Sequence, residues 1–462
     1  MYQPEPFNTY LNTQHDHFLD ELRQFIAQPS VAAEKRGIQP MADLLSERFR
    51  QLGATVKQFP IKDGSPVVYA ELGEGNKTLM MYNHYDVQPE VPLGLWQSEP
   101  FELTIRDGVM YGRGTADDKG ELLLRIQAIE AWQSTHGKLP CRIKWVVEGE
   151  EEIGSVHFPE WAEHNQNMLS ADGLLWEGGG YDALGRVRMA CGCKGIAYFE
   201  LHANGANIDL HSSVAPIVVN PAWRLVWALN TLKDANDHIL VDGYTDHVVP
   251  PSKELLAAID ALPVDDLPLD RERWGLDQWI GNLNDKEANR RLLTEPTITI
   301  CGFESGYTGQ GTKTVLPAHA FAKIDCRLVP NLTPEIVQTL LRAHLNKRGF
   351  TDIEIRPLGG ENPADSAIES LVKQAAVTAC QQVWNKVPVI QPRFAGSGPM
   401  YPLSTMLGIP VISAGALGHP DDRIHSPNEN ILERDYFDGM HFVAAFIDNF
   451  ANGSPEPNWG LL

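Results

Sequence analysis

The sequence has few cysteines, few basic residues and no long apolar run. Its 6 cysteines are scattered over 462 residues, which excludes the disulfide framework of a small secreted domain. With 38 Lys+Arg against 60 Asp+Glu and a net charge of −22, it lacks the basic surface that nucleic acid or an anionic membrane requires, and we expect neither as a partner. We see neither a membrane helix nor a signal peptide, and expect a cytoplasmic protein.

Strand and helix patterns alternate along most of the chain. A helical pattern covers residues 18–52, and short apolar runs then alternate with helices such as residues 120–132. This alternation predicts an α/β domain with a mostly parallel sheet, formed by residues 1–195 and 358–462. Residues 196–357 change in character and are predicted to form an inserted α+β domain. Its acidic stretch, residues 242–287, matches no motif.

Polar residues follow several apolar strands. His84 ends one predicted strand, and Asp86 comes two residues later. Sites in α/β sheets form outside the carboxyl ends of strands, and a carboxylate at this spacing can orient a metal-bound histidine. Taken alone, the pair is better explained as a surface histidine beside a turn aspartate, because one His-x-Asp is weak evidence.

Two further acidic clusters strengthen the metal interpretation. Asp117 and Asp118 lie in a glycine-rich loop before a helix; one aspartate suffices as a cap, whereas the repulsion between two is relieved by a bound cation. Glu151 and Glu152 follow another strand in the run EGEEE. One of them suits a metal ligand and the other a base that takes a proton from water.

A fourth strand ends at Glu177, and a late polar loop carries His419 and His425. We favour His425, because Ser-Pro-Asn after it keeps its backbone outside regular structure. Carboxylates mixed with imidazoles suit zinc, manganese or cobalt. Cys191 and Cys193 lack a second cysteine pair and are expected to be structural.

In this order, the clusters resemble the co-catalytic metallopeptidase and amidohydrolase family of carnosine dipeptidase, carboxypeptidase G, aminoacylase, acetylornithine deacetylase and succinyl-diaminopimelate desuccinylase. The segments HYDVQP, LWQSEPFEL and GRGTADDKG are most similar to the dipeptidase branch. The resemblance implies two divalent ions per subunit, with zinc favoured over manganese or cobalt. It also implies a water activated by both ions and a cis peptide bond between Asp117 and Asp118.

The resemblance assigns roles to individual residues. It implies His84, Asp117 and Glu177 as ligands of the first metal, and Asp117, Glu152 and His425 as ligands of the second. Glu151 would be the general base, and Asp86 would hold the ring of His84.

The inserted domain resembles the lid and dimerisation domain of that family, which implies a homodimer. His211 would reach the partner's active site, while Thr314 and Arg327 would hold the substrate carboxylate, as a guanidinium does well. Ser397 and Arg393 are expected to contact substrate as well. The sequence has Phe394–Ala395 where the family pattern usually has Glu-Gly, which leaves substrate choice open.

The resemblance implies hydrolysis of an amide bond in dipeptides or short peptides with a free carboxylate. The alternative is an N-acyl-amino-acid amidohydrolase of the deacetylase, aminoacylase or desuccinylase type. A serine hydrolase is disfavoured, because the run around Ser397 is too short for a nucleophile elbow. The segment GQGTKT lacks the spacing of a phosphate-binding loop. A non-enzymatic receptor of this fold would be expected to lose Glu151 or a ligand, and neither is missing.

Overall fold

The computed structural model describes residues 1–367, 369–415 and 417–453. Helices and strands alternate in the first part of the chain. Its helices are α1 (Pro4–Ala27), α2 (Ile38–Gln51), α3 (Lys119–His136) and α4 (Phe158–His164). Its strands are β1 (Thr55–Phe59), β2 (Val67–Leu72), β3 (Thr78–His84), β4 (Thr104–Arg106), β5 (Val109–Tyr111), β6 (Arg142–Glu148), β7 (Gly173–Trp176), β8 (Gly180–Tyr181), β9 (Val187–Ala190) and β10 (Gly192–Cys193).

The middle of the chain contains the longest strands and several short helices. The strands are β11 (Gly195–Asn204), β12 (Leu210–His211), β13 (Thr299–Ser305), β14 (Val315–Leu316), β15 (His319–Leu328) and β16 (Glu354–Glu361). The helices are α5 (Pro221–Leu229), α6 (Lys253–Asp260), α7 (Leu267–Arg273), α8 (Asp285–Thr294) and α9 (Pro334–Lys347). The last part contains β17 (Ala364–Asp365), α10 (Leu371–Trp384), β18 (Val389–Gln391), β19 (Val411–Ser413), β20 (Asn430–Leu432) and α11 (Glu433–Asn452).

One large mixed sheet combines strands from the first and last parts of the chain. Its order is β1-β2-β6-β3-β7-β19-β9-β18, with β8 added against β9. The central strands β6, β3, β7 and β19 run parallel, as does the pair β9 and β18. The pairs β1–β2, β2–β6 and β19–β9 are antiparallel. The sequence thus predicted the α/β class and the parallel centre of the sheet.

A second, four-stranded antiparallel sheet belongs to the middle segment, in the order β13-β15-β11-β16. One face of this sheet packs against α5 and α9 around its own apolar core, which includes Phe199, Leu225 and Leu341. The predicted division at residues 195 and 357 stays a prediction; strand β16 runs on to Glu361 and passes the second expected boundary.

The predicted helix over residues 18–52 is wrong as a single element. Helix α1 begins earlier and ends at Ala27, and α2 starts only at Ile38. Pro29 explains the break, because the residue before a proline is pushed out of the helical conformation. The acidic stretch 242–287 contributes α6 and α7. Within the described part of the chain, no helix has the length and apolarity needed to cross a bilayer.

Candidate metal centre

The parallel strands deliver the predicted residues to one edge of the large sheet. His84 is the last residue of β3, and Glu177 follows directly after β7. Glu151 and Glu152 begin a short turn of 3-10 helix just beyond β6. Because β6, β3 and β7 are parallel neighbours, their carboxyl ends lie side by side. The register of these strands therefore brings together side chains that lie far apart in the sequence.

Asp117 lies between the two predicted metal-binding histidines. Its Oδ1 is 2.8 Å from Nε2 of His84, and its Oδ2 is 3.0 Å from Nε2 of His425. His425 is also 3.0 Å from the carboxylate of Glu152, and Glu177 lies 3.7 Å from His84. One carboxylate thus joins two groups of ligating atoms.

Among the described residues, two groups of three have ligand atoms close enough to share an ion: His84, Asp118 and Glu177, and Asp117, Glu152 and His425. Asp118 was not predicted as a metal ligand. Its Oδ2 already accepts hydrogen bonds from the side-chain amide of Asn83 and the backbone N–H of His84. We therefore assign Asp118 to holding β3 in place, and Asp117 is the carboxylate that faces both histidines. The peptide bond between the two aspartates is cis, as the resemblance led us to expect.

The alternative histidine, His419, lies apart from these groups. Its Nε2 is 3.2 Å from the side-chain oxygen of Asn430. The ring of His425, by contrast, lies 3.0 Å from both Asp117 and Glu152, and its backbone is left-handed with φ of 61°.

The donor atoms fit a divalent cation. Oε2 of Glu177 is buried and accepts no hydrogen bond from the described residues. Burial raises the pKa of Glu177 and Glu151 well above the usual range, and the neighbouring carboxylates raise both further. Burial acts in the same direction on Asp117, but its bonds to His425 and His84 outweigh burial and hold its pKa low. Crowded, partly buried oxygen atoms of this kind are stabilised as anions by a cation.

The tautomer of His84 also suits metal binding. Its Nδ1 lies 3.0 Å from the backbone carbonyl oxygen of Asp86. A carbonyl oxygen only accepts, so Nδ1 carries a proton, and Nε2 is the ring nitrogen that would ligate a metal. The Asp86 carboxylate is farther from the ring, at 3.4 Å, and accepts the backbone N–H groups of Glu151 and Glu152. Asp86 therefore orients both the histidine and the glutamate turn.

The predicted substrate residues fall into separate groups. Arg327 on β15 donates through Nη1 to the hydroxyl of Ser397 over 2.9 Å, which links the inserted domain to the loop after β18. An ideal Cβ on the adjacent Gly398 would lie 4.0 Å from a carboxylate oxygen of Glu151. Ser397 thus immediately precedes the residue that borders the predicted base, and Arg327 is bonded to Ser397.

His211 and Thr314 form a second group on the inserted domain. His211 ends β12, and Thr314 immediately precedes β14, the strand that pairs with β12. Nε2 of His211 is 3.1 Å from the Thr314 hydroxyl. Both are exposed. The polar contacts of the His211 ring are with Thr314 and Ser213, from the same domain.

Arg393 differs from the other predicted substrate residues. It is 5 % exposed, and its guanidinium makes a double hydrogen bond with Asp365 and donates to the carbonyl oxygen of Leu293. Every guanidinium nitrogen is therefore engaged within the protein. Its predicted contact with substrate stays a prediction.

Sequence reasoning missed Glu429. Its carboxylate is fully buried and accepts hydrogen bonds from Arg113 and from the backbone N–H groups of Gly114, Ala116 and Asp117, at 2.6–3.0 Å. Glu429 thus ties the loop that carries His425 to the loop that carries Asp117. The sequence feature that could have indicated Glu429 is its position in HSPNEN, only four residues after His425.

Fold and site together define a metal-dependent hydrolase with a catalytic α/β domain and an inserted α+β domain. The family model described as "Peptidase family M20/M25/M40" matches residues 80–449. The chain therefore belongs to this peptidase family, and it is a metallopeptidase.

Relatives and solved structures agree with this assignment over nearly the full length. The chain is 30% identical to human Beta-Ala-His dipeptidase, over 95% of this chain and 91% of that protein. It is 28% identical to the Cys-Gly metallodipeptidase of Schizosaccharomyces pombe, over 96% and 98%. The structure of an M20 family metallo-carboxypeptidase from Sulfolobus solfataricus is similar, with a TM-score of 0.89, 38% identity and coverage of 94% and 99%. Human carnosine dipeptidase 1 gives a TM-score of 0.81 at 29% identity, covering 97% and 100%.

Proposed function

We propose that the protein hydrolyses the amide bond of dipeptides or short peptides that carry a free carboxylate, using two divalent metal ions. The observation that carries this proposal is Asp117, whose two oxygens face His84 on one side and His425 on the other. The names of the relatives, Beta-Ala-His dipeptidase and Cys-Gly metallodipeptidase, support dipeptides as the substrate class.

Two divalent ions fit the donor set in this chain. His84, Asp117 and Glu177 would hold one ion, and Asp117, Glu152 and His425 the other. Two imidazoles among carboxylates favour zinc, with manganese or cobalt as alternatives. When bound, such ions lower the pKa of water and polarise a carbonyl group.

Glu151 is the proposed general base. Its carboxylate lies next to Glu152 but is not one of the grouped ligand atoms, so it remains available for proton transfer. Burial and the neighbouring carboxylates raise its pKa, and a raised pKa lets a carboxylate take a proton from water and then give it to the leaving amine.

Arg327 and Ser397 are proposed to hold the substrate's carboxylate, because they bond to each other and Gly398, the next residue, borders Glu151. A guanidinium donates two parallel hydrogen bonds to a carboxylate. His211 and Thr314 are proposed to act in the partner's site, since both are exposed on the inserted domain.

A homodimer would supply these two residues. Trp223 and Trp227 on α5 are 58% and 54% exposed. The edge strand β13 exposes Ile300 and Phe303 by 55% and 45%. Exposed large apolar side chains and an edge strand are features of an interaction surface. We also propose a cytoplasmic location, which suits a chain whose six cysteines are all free.

The deciding experiment strips the protein of metal with a chelator and restores zinc, manganese or cobalt in turn. Each form is assayed on dipeptides, a tripeptide and N-acetyl amino acids, with light scattering to measure the mass. We expect metal-dependent cleavage of dipeptides by a dimer. Selective cleavage of the N-acetyl amino acids would instead support the amidohydrolase alternative, and full activity without metal would refute the proposal.

A further inference from the structure

Glu361 lies on the same sheet face as Arg327. In the second sheet, Ile196 on β11 pairs with Arg327 on β15 and with Glu361 on β16. Residues directly opposite each other in an antiparallel sheet project to the same face. Neighbouring residues in the sequence, such as Ala197 and Cys326, point to the other face and into the apolar core. Arg327 and Glu361 therefore flank Ile196 on the face turned away from that core.

This face reaches the predicted catalytic residues. Arg327 bonds to Ser397, and Gly398, the next residue, borders the carboxylate of Glu151. Ala364, three residues after Glu361, pairs with Cys193, whose Sγ lies 3.7 Å from the carbonyl oxygen of Gly398. The guanidinium of Arg327 and the carboxylates of Glu151 and Glu361 therefore belong to one part of the site.

The carboxylate of Glu361 has no hydrogen-bond or ion-pair partner among the residues that the structure describes. Arg327, which flanks the same Ile196, directs its guanidinium to Ser397 and to Asp325, 3.2 Å away. Burial raises the pKa of Glu361 to about 7, and Arg327 lowers it only in part. A partly buried carboxylate without a partner is costly, and a cationic ligand group would offset that cost.

A dipeptide has the matching charges. Its carboxylate and its α-ammonium group lie at opposite ends of a chain that spans at most about 7 Å. The Cα atoms of Arg327 and Glu361 are separated by two strand spacings, about 9.6 Å, and both side chains rise from the same face. The pair can therefore bracket a short zwitterion, whereas an N-acylated substrate has no charge for Glu361.

We propose that Glu361 binds the free α-ammonium group of the substrate and so selects dipeptides over N-acylated compounds. This inference rests on the proposed peptidase function, because it assigns the substrate preference of that same site.

The test compares Glu361→Gln with wild type on a dipeptide and on its N-acetylated form. We expect kcat/KM for the dipeptide to fall about 10- to 100-fold, mainly through KM, as for a lost hydrogen bond to a charged group. Any activity on the N-acetyl form should stay unchanged. Glu354→Gln, on the same strand but paired with Arg356 at the surface, is the matched control and should leave both substrates unaffected.

A binding measurement separates this inference from the proposed function. The dipeptide and its N-acetyl form are each titrated calorimetrically into metal-loaded Glu151→Gln protein, with and without Glu361→Gln. Because Glu151→Gln should not turn over substrate, the titration measures binding affinity alone. Loss of affinity for the dipeptide alone supports the inference even if wild type hydrolyses nothing in the panel. Equal loss for both ligands, or no loss for the dipeptide, overturns it, while hydrolysis by wild type leaves the proposed function intact. Circular dichroism verifies that the variants fold.

Discussion

The backbone N–H of Glu152 donates to the carboxylate of Asp86 over 3.0 Å. The same carboxylate accepts the N–H of Glu151, and the backbone carbonyl of Asp86 accepts from the ring of His84. Asp86 is fully buried. It thus holds a predicted ligand of each metal and the predicted base in one arrangement.

Replacing Asp86 by alanine should impair the site more than the fold. The backbone carbonyl that orients His84 remains, but the turn with Glu151 and Glu152 loses both acceptors. Losing such a supporting group costs about 10- to 100-fold in metal affinity or activity. Metal content by mass spectrometry and kcat with restored zinc measure this. Asp86→Asn keeps one acceptor and should fall between alanine and wild type; wild-type turnover in both variants would contradict the assignment.

Glu151→Gln should separate proton transfer from metal binding. Because Glu151 is not among the grouped ligand atoms, the variant should keep its metal and lose about 100- to 10,000-fold in kcat, the usual contribution of a general base. Glu152→Gln is the matched comparison and should lose metal instead. Full metal occupancy with a near wild-type rate in Glu151→Gln would refute the assignment of the base.

The strand ends that carry the site could be predicted from the sequence, because the apolar runs stop visibly at His84, Glu148 and Glu177. Parallel strands then place those ends side by side. The Ser-Pro-Asn run after His425 favoured that residue over His419, and the resemblance supplied the choice of Asp117 over Asp118. These assignments needed only local patterns and their order along the chain.

Other features depend on long-range contacts that a local pattern cannot contain. In the sequence, Glu429 looks like an ordinary loop residue, because its contact with the backbone of Asp117 forms only in the folded chain. The sequence does not show that Glu361 shares a sheet face with Arg327. This follows only from the strand register, in which both residues pair with Ile196. The pairing of Arg393 with Asp365 cannot be predicted from a local pattern, because Asp365 lies on another element.

Glu429→Gln should destabilise the protein and loosen the site together. The substitution removes the charge that offsets Arg113, which is 1% exposed, and breaking a buried ion pair costs about 3 kcal/mol or more. Metal affinity should fall as well, because Glu429 positions the backbone of Asp117. Urea unfolding and metal titration measure the two effects.

The control for Glu429 is Glu433→Gln, which alters a partly exposed pair with His15 and should change the free energy of unfolding by about 0.5 kcal/mol or less. A Glu429→Gln protein with unaltered stability and metal affinity would contradict this role.

His441 should make stability depend on pH. Burial lowers its pKa from 6.5 to about 4, and its Nδ1 lies 2.5 Å from the Tyr2 hydroxyl, which can donate to a neutral ring. The unfolded chain binds a proton below pH 6.5 and the folded chain only below about 4, so this contribution is complete above pH 6.5 and is lost as the pH falls toward 4. Between pH 7.5 and pH 5 the loss should be about 2 kcal/mol. Urea unfolding at both pH values, with His441→Asn for comparison, measures it; the variant should lack this component, and an equal pH dependence in both proteins would exclude His441 as its source.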